Sequence, residues 1–140
     1  MNFTQQEERP VEILLAEDNE ADIYYFNRVL QDIAIPVTLH VVYDGRQALA
    51  FLRKHGEYAQ APTPDVVFLD LLLPLLSGHE VFVTMKREAA LAQIPTCLFV
   101  IDEYDPSLVT IARQGFQVGY RLTKPVQAKH LSAILRTIGR

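Results

Sequence analysis

Asp70 ends the run Val66-Val67-Phe68-Leu69, and an apolar stretch that stops at a carboxylate reads as a buried strand whose last side chain emerges at a sheet edge. Other charged groups stand in the same kind of place. Glu17 and Asp18 follow Val11-Glu12-Ile13-Leu14-Leu15-Ala16, Asp102 follows Thr96-Cys97-Leu98-Phe99-Val100-Ile101, and Lys124-Pro125 follows residues 117–122. In a parallel sheet all such exits lie on one edge, so these acids and the one ammonium would share a crevice although they are far apart in the chain. Carboxylates that close raise one another's pKa unless a cation is bound, and a hard oxygen site that keeps its waters suits Mg²⁺. The pattern points to a divalent ion beside Asp70. Singly, each residue has a plainer use: Asp70 as a turn residue, Glu17 to Asn19 as a helix cap, Lys124 as a solvated loop residue. The acid pair, the lone Asp and the Lys-Pro fall at the ends of the first, third and fifth strands, and that joint placement carries the reading.

The elements that must position these groups alternate strand and helix. After the first strand, Asn19 is a suitable N-cap, Glu20 and Asp22 sit where the helix dipole favours acids, and Ile23, Phe26, Leu30 and Ile33 recur at helical spacing. Pro36 ends that helix, and residues 37–42 have the β-branched content of a second strand. Ala48, Leu49 and Leu52 stripe the next helix, which Gly56 is placed to end, and residues 57–64 form a connection. The third strand, residues 65–69, delivers Asp70, and Ser77 or Gly78 starts a helix carrying Val81, Phe82, Met85 and Ala89 inward. The fourth strand spans residues 96–101, and a helix over 106–115 turns Leu108, Ile111 and Ala112 inward. A fifth strand over 117–122 and a last helix with Leu131, Ile134, Leu135 and Ile138 complete the pattern. Crossovers of this length predict a doubly wound α/β domain, a five-stranded parallel sheet with helices on both faces.

The totals bound the alternatives. A chain of 140 residues makes one domain and buries roughly two thirds of its unfolded surface. Residues 1–10 read as a flexible polar tail and residues 11–140 as the domain. The hydrophobic share of 49% and charged share of 21% are those of a globular protein, and a net charge of -4 argues against nucleic acid or an anionic membrane as partner. The single cysteine, Cys97, allows no internal disulfide and sits in an apolar run, as a core residue would. There is no signal-peptide core and no run of about 18 apolar residues, so a cytoplasmic location is expected. His40, His55, His79 and His130 lack metal-ligand spacing. Nucleotide-binding glycine loops and a nucleophile elbow are absent, and Leu72 stands where an aspartyl phosphatase would want a second acid.

The chain resembles the receiver domains of two-component response regulators. The resemblance rests on Leu14-Leu15-Ala16-Glu17-Asp18-Asn19, on Leu69-Asp70-Leu71-Leu72-Leu73-Pro74 with Gly78 eight positions after Asp70, and on Leu122-Thr123-Lys124-Pro125. It spans residues 11–138 and looks most like the stand-alone receivers of phytochrome-type histidine kinases. It implies that Asp70 accepts a phosphoryl group from a sensor histidine kinase, a bacteriophytochrome. It further implies that Asp18, Asp70, the backbone carbonyl of Leu72 and, through water, Glu17 hold Mg²⁺, and that Lys124 pairs with the phosphoryl oxygens. Such a domain assists its own phosphorylation and dephosphorylation without being a conventional enzyme. The resemblance also suggests a homodimer through the last two helices and the fifth strand.

The chain departs from the family where a hydroxyl and an aromatic residue usually couple phosphorylation to output. Val100 occupies the hydroxyl position, Ile101 the small one beside it, and Arg121 the aromatic one three places before Lys124. A lost hydrogen bond to a charged acceptor costs about 1.5 to 3 kcal/mol, and Ile101 is expected to narrow access to Asp70. A second reading follows: a receiver-like interaction module that is phosphorylated poorly and signals through partner or dimer contacts.

Overall fold

The computed structural model of the protein describes residues 9–138. The proposed flexible tail therefore lies outside the described residues, except for Arg9 and Pro10. Arg9 rests 3.2 Å from Asp65 in an exposed ion pair.

Five strands, β1 (Val11–Ala16), β2 (Val37–Val42), β3 (Val66–Asp70), β4 (Thr96–Phe99) and β5 (Tyr120–Leu122), form one parallel sheet in the order β2-β1-β3-β4-β5. Helices α1 (Glu20–Gln31), α2 (Gly45–Arg53), α3 (Gly78–Arg87), α4 (Pro106–Arg113) and α5 (Ala128–Ile138) connect and follow them. Because successive strand side chains point to opposite faces, the sheet feeds two cores. Leu14, Val67, Leu69 and Leu98 meet α2, α3 and α4 through Leu49, Leu52, Val81, Phe82 and Ile111. Ile13, Leu15, Phe68, Cys97 and Phe99 meet α1 and α5 through Phe26, Leu30, Leu131 and Leu135. The central strands are largely apolar because both faces are covered, with Glu12, Asp70 and Thr96 as their polar members.

The caps are set locally. Asn19 accepts from the N–H of Asp22, Asp44 from that of Gln47, and Ser77 forms a reciprocal capping box with Glu80. Lys54, with φ 58, supplies the left-handed residue that ends α2, the part expected of Gly56, which instead opens a single 3₁₀ turn, Gly56–Tyr58.

Several boundaries differ from the expected ones. β4 stops at Phe99 rather than at residue 101, because the Ile101 N–H is taken by the Asp105 carboxylate at 2.9 Å. β5 starts only at Tyr120. α3 ends at Arg87, which leaves Ala89 exposed, and Ala112 faces solvent rather than the core. Ile33 lies past the end of α1 yet still packs against the α1/α5 core.

Candidate functional site

At the carboxyl edge, Glu17 directly follows β1, and its N–H still bonds the Val42 carbonyl at 3.0 Å. That bond holds its side chain inward, and Glu17 is only 2% exposed, while Asp18 beside it is exposed. β3 delivers Asp70. One carboxylate oxygen each from Glu17, Asp18 and Asp70 lies within 4.8 Å of the others. It is the one such group of potential metal ligands among the described residues, and its all-oxygen donor set suits a hard divalent cation.

Lys124, carried in by the loop after β5, is the cation already present. Its Nζ donates to Glu17 Oε1 at 2.7 Å and to Asp22 Oδ2 at 2.8 Å, and stands 3.5 Å from Asp70 Oδ1. Its Nζ also lies 5.3 Å from the centre of the Phe99 ring. The peptide joining Lys124 to Pro125 is cis.

Two glycines let the surrounding loops close. A Cβ on Gly78 would lie 2.2 Å from the Asp70 carbonyl oxygen, so only glycine lets α3 start against the end of β3. A Cβ on Gly45 would lie 1.9 Å from the Leu76 carbonyl oxygen, and the Gly45 N–H holds Pro74 of the β3–α3 loop at 3.2 Å. In that loop Leu75 adopts φ 67, a left-handed conformation for a branched side chain, and Leu72 is 84% exposed.

The charges settle unequally. Burial pushes the Glu17 carboxyl above its ordinary value against the bonds it accepts from Lys124 and from the Asn19 N–H, and the Asp70 charge adds to the rise. Burial alone would lower the Lys124 ammonium, but its hydrogen bonds to Asp22 and Glu17 and the nearby Asp70 charge outweigh that and raise it. Near-complete burial of Glu17 explains why it rises although it is bonded to a cation.

A groove of about 700 Å³ opens over these groups, lined among others by Asp18, Asp70, Leu72, Val100, Ile101 and Lys124. Val100 is buried and its N–H bonds the Leu122 carbonyl at 2.9 Å, so the position expected to bear a hydroxyl faces the groove with methyl groups. Ile101 is 79% exposed and forms part of the rim. Arg121 lies elsewhere, in a separate hollow with Asp102 and Glu103.

Asp102 is the site residue that the structure removes from the cluster. The chain turns after Phe99, and the Asp102 carboxylate accepts from the Tyr104 N–H at 2.8 Å instead of facing Asp70. Sequence reasoning missed two acids that matter nearby. Asp105 is buried, caps α4 and lines the groove; an Asp directly before a proline at the first helical position was the available signal. Asp22, read only as a first-turn acid, pairs with Lys124, and nothing local in the sequence announces a bond across 102 residues. No histidine joins the cluster, and burial pushes the Cys97 thiol up, as fits a core residue.

The response regulator receiver domain profile matches residues 13–136. This chain belongs to the response regulator receiver family. In this family an aspartate is phosphorylated in two-component signalling, with sensor histidine kinases as partners. The receiver is 34% identical over 129 residues to the response regulator Rcp1 of Synechocystis sp. (strain ATCC 27184 / PCC 6803 / Kazusa), covering 92% of this chain and 86% of that protein. Among solved structures, the bacteriophytochrome response regulator AtBRR superposes with a TM-score of 0.81 at 31% identity, covering 94% of both chains. The phosphorylated cyanobacterial phytochrome response regulator RcpA superposes with a TM-score of 0.75 at 32% identity, covering 93% of this receiver and 91% of that chain. No helix among the described residues is long and apolar enough to cross a membrane.

Proposed function

We propose that Asp70 is the phosphoacceptor of this receiver and that its donor is a sensor histidine kinase of the phytochrome type. The convergence of Glu17, Asp18 and Asp70 on one point with Lys124 3.5 Å from Asp70 carries the assignment. Asp18 and Asp70, with the Leu72 carbonyl and with Glu17 through water, would hold Mg²⁺, and a solved Rcp1 structure carries Mn²⁺. When bound, the ion neutralises charge that builds on the phosphoryl oxygens. A carboxylate oxygen of Asp70 attacks phosphorus, the O–P bond forms as the P–N bond to the donor histidine breaks, and the departing imidazole is protonated from water. Lys124 supplies a positioned ammonium for the transferred oxygens, and this kind of transfer needs little else from the protein.

The likeness to the cyanobacterial phytochrome response regulator RcpA and the bacteriophytochrome response regulator AtBRR supports that kinase class. Partner contact carries the signal, and we extend the proposal to a homodimer over α4, β5 and α5. Leu122, Leu131 and Leu135 of that face are spent on the core, so the contact would use exposed groups such as Val109 and Arg121.

Incubation with Mg²⁺ and acetyl phosphate or a phytochrome-type kinase, followed by intact-mass measurement, tests the assignment. Wild type is expected to gain one phosphoryl group and Asp70→Asn none. Labelling of Asp70→Asn would move the acceptor elsewhere. A wild type that no donor labels would leave the interaction module that Val100 and Arg121 already hint at.

A further inference from the structure

Lys124 has three carboxylate partners, and they are not equivalent. Glu17 and Asp70 belong to the cluster that can hold a cation, whereas Asp22 does not. Asp22 sits in the first turn of α1, where its own N–H is tied to Asn19 Oδ1 at 3.0 Å, and its carboxylate takes a full hydrogen bond from Lys124 at 2.8 Å. An ammonium has three donors. In this structure two go to Glu17 and Asp22, and Asp70 is left at 3.5 Å, beyond a good hydrogen bond.

We propose that Asp22 is a positioning residue that competes with the phosphoryl group for Lys124 and so weakens the phosphorylated state. The inference rests on the reading of Asp70 as phosphoacceptor. When a cation and a phosphoryl group arrive, Glu17 and Asp70 gain new partners, and Asp22 remains the one carboxylate still holding the ammonium with its full charge. Lys124 then divides its charge and its reach between that bond and the phosphoryl oxygens, because Nζ stands 3.5 Å from Asp70 while it holds Asp22 at 2.8 Å. The exchange is accessible because the Asp22 side chain is 41% exposed and returns readily to water. A half-exposed ion pair is worth little, so the competition is a modest bias rather than a block.

Beryllofluoride, a tetrahedral mimic of the phosphoryl group, titrated at saturating Mg²⁺ and followed by ¹⁹F NMR, reads the competition directly. Asp22→Asn is expected to bind it about two- to fivefold more tightly than wild type, the range an exposed pair supports. Glu20→Gln removes the same charge from the same helical turn at an exposed residue that makes no ion pair among the described residues, and is expected to leave affinity unchanged. Damage to a merely structural contact would lower affinity, so the gain itself is the signature. Unchanged or weaker binding in Asp22→Asn overturns the proposal, as does an equal gain in Glu20→Gln, which would make the effect one of net charge. If wild type and Asp70→Asn alike bind no beryllofluoride, it is the Asp70 assignment that falls.

Discussion

At the scale of residues, the proposed phosphoacceptor Asp70 has its acidic neighbours and Lys124 beside it, whereas Val100 and Arg121 stand where a hydroxyl and an aromatic residue were expected. Val100 lines the groove with its backbone already fixed by the bond to Leu122, so a threonine there would bring a hydroxyl to the Asp70 side of the sheet without rebuilding the strand. A hydrogen bond to a charged acceptor contributes about 1.5 to 3 kcal/mol, and a buried hydroxyl without a partner in the resting state subtracts about 1 to 2 kcal/mol of stability. Val100→Thr should therefore raise the phosphorylated fraction at limiting acetyl phosphate by roughly tenfold while lowering the unfolding midpoint. No change in that fraction would show that Val100 does not face the phosphoryl group. That Glu17, Asp18, Asp70 and Lys124 would gather was legible from their joint placement at strand ends, although the same reasoning also drew in Asp102, which turns away to the Tyr104 N–H. Asp22 was not, because its partner is set by how α1 packs beside the β5–α5 loop.

At the scale of elements, α4 is the shortest helix, and its start is tied to the end of β4 by one side chain. Asp105 accepts from the Ile101 N–H and the Ser107 N–H, both at 2.9 Å. Burial works against its ionisation, but these two bonds outweigh it and hold its carboxyl below the ordinary 3.8. A depressed carboxyl binds its proton less readily folded than unfolded. It therefore contributes stability that is complete above pH 3.8 and is lost as pH falls from there towards the lower folded value. Asp105→Ala should cost about 1 to 2 kcal/mol in urea unfolding at neutral pH, as lost caps do, and should flatten the stability profile below that point. An equal loss at all acidities would assign Asp105 a packing role instead. The same bond explains a misread boundary. The apolar run through Val100 and Ile101 continues the strand pattern, but a carboxylate four residues on captures the Ile101 N–H and turns the chain, which periodicity cannot show. The five parallel strands, the cover on both faces and the starts of α1, α3 and α4 followed from apolar spacing and cap residues, since those signals are local; the order of the strands did not, because pairing joins segments far apart in the chain. The end of α2 did not, because Lys54 rather than a glycine takes the left-handed position.

At the scale of the whole molecule, a parallel sheet that gathers its exits on one edge concentrates acid there, in a chain already at net charge -4. Glu17 and Asp18 repel Asp70 in the folded state and are far from it in the unfolded chain, so folding meets a cost that Lys124 offsets only in part. A divalent cation that binds the folded cluster and not the unfolded chain repays that cost by mass action, about 2.7 kcal/mol at a hundredfold excess over its Kd. Mg²⁺ should therefore raise the urea midpoint of this receiver, followed by far-ultraviolet circular dichroism because the chain has no tryptophan. Asp18→Asn should behave in the opposite sense on both counts: slightly more stable than wild type without metal, since one like charge is gone, and indifferent to added Mg²⁺. A response to Mg²⁺ as large in Asp18→Asn as in wild type would place cation binding outside this cluster, and the electrostatic logic of the site would have to be rebuilt around Lys124 alone.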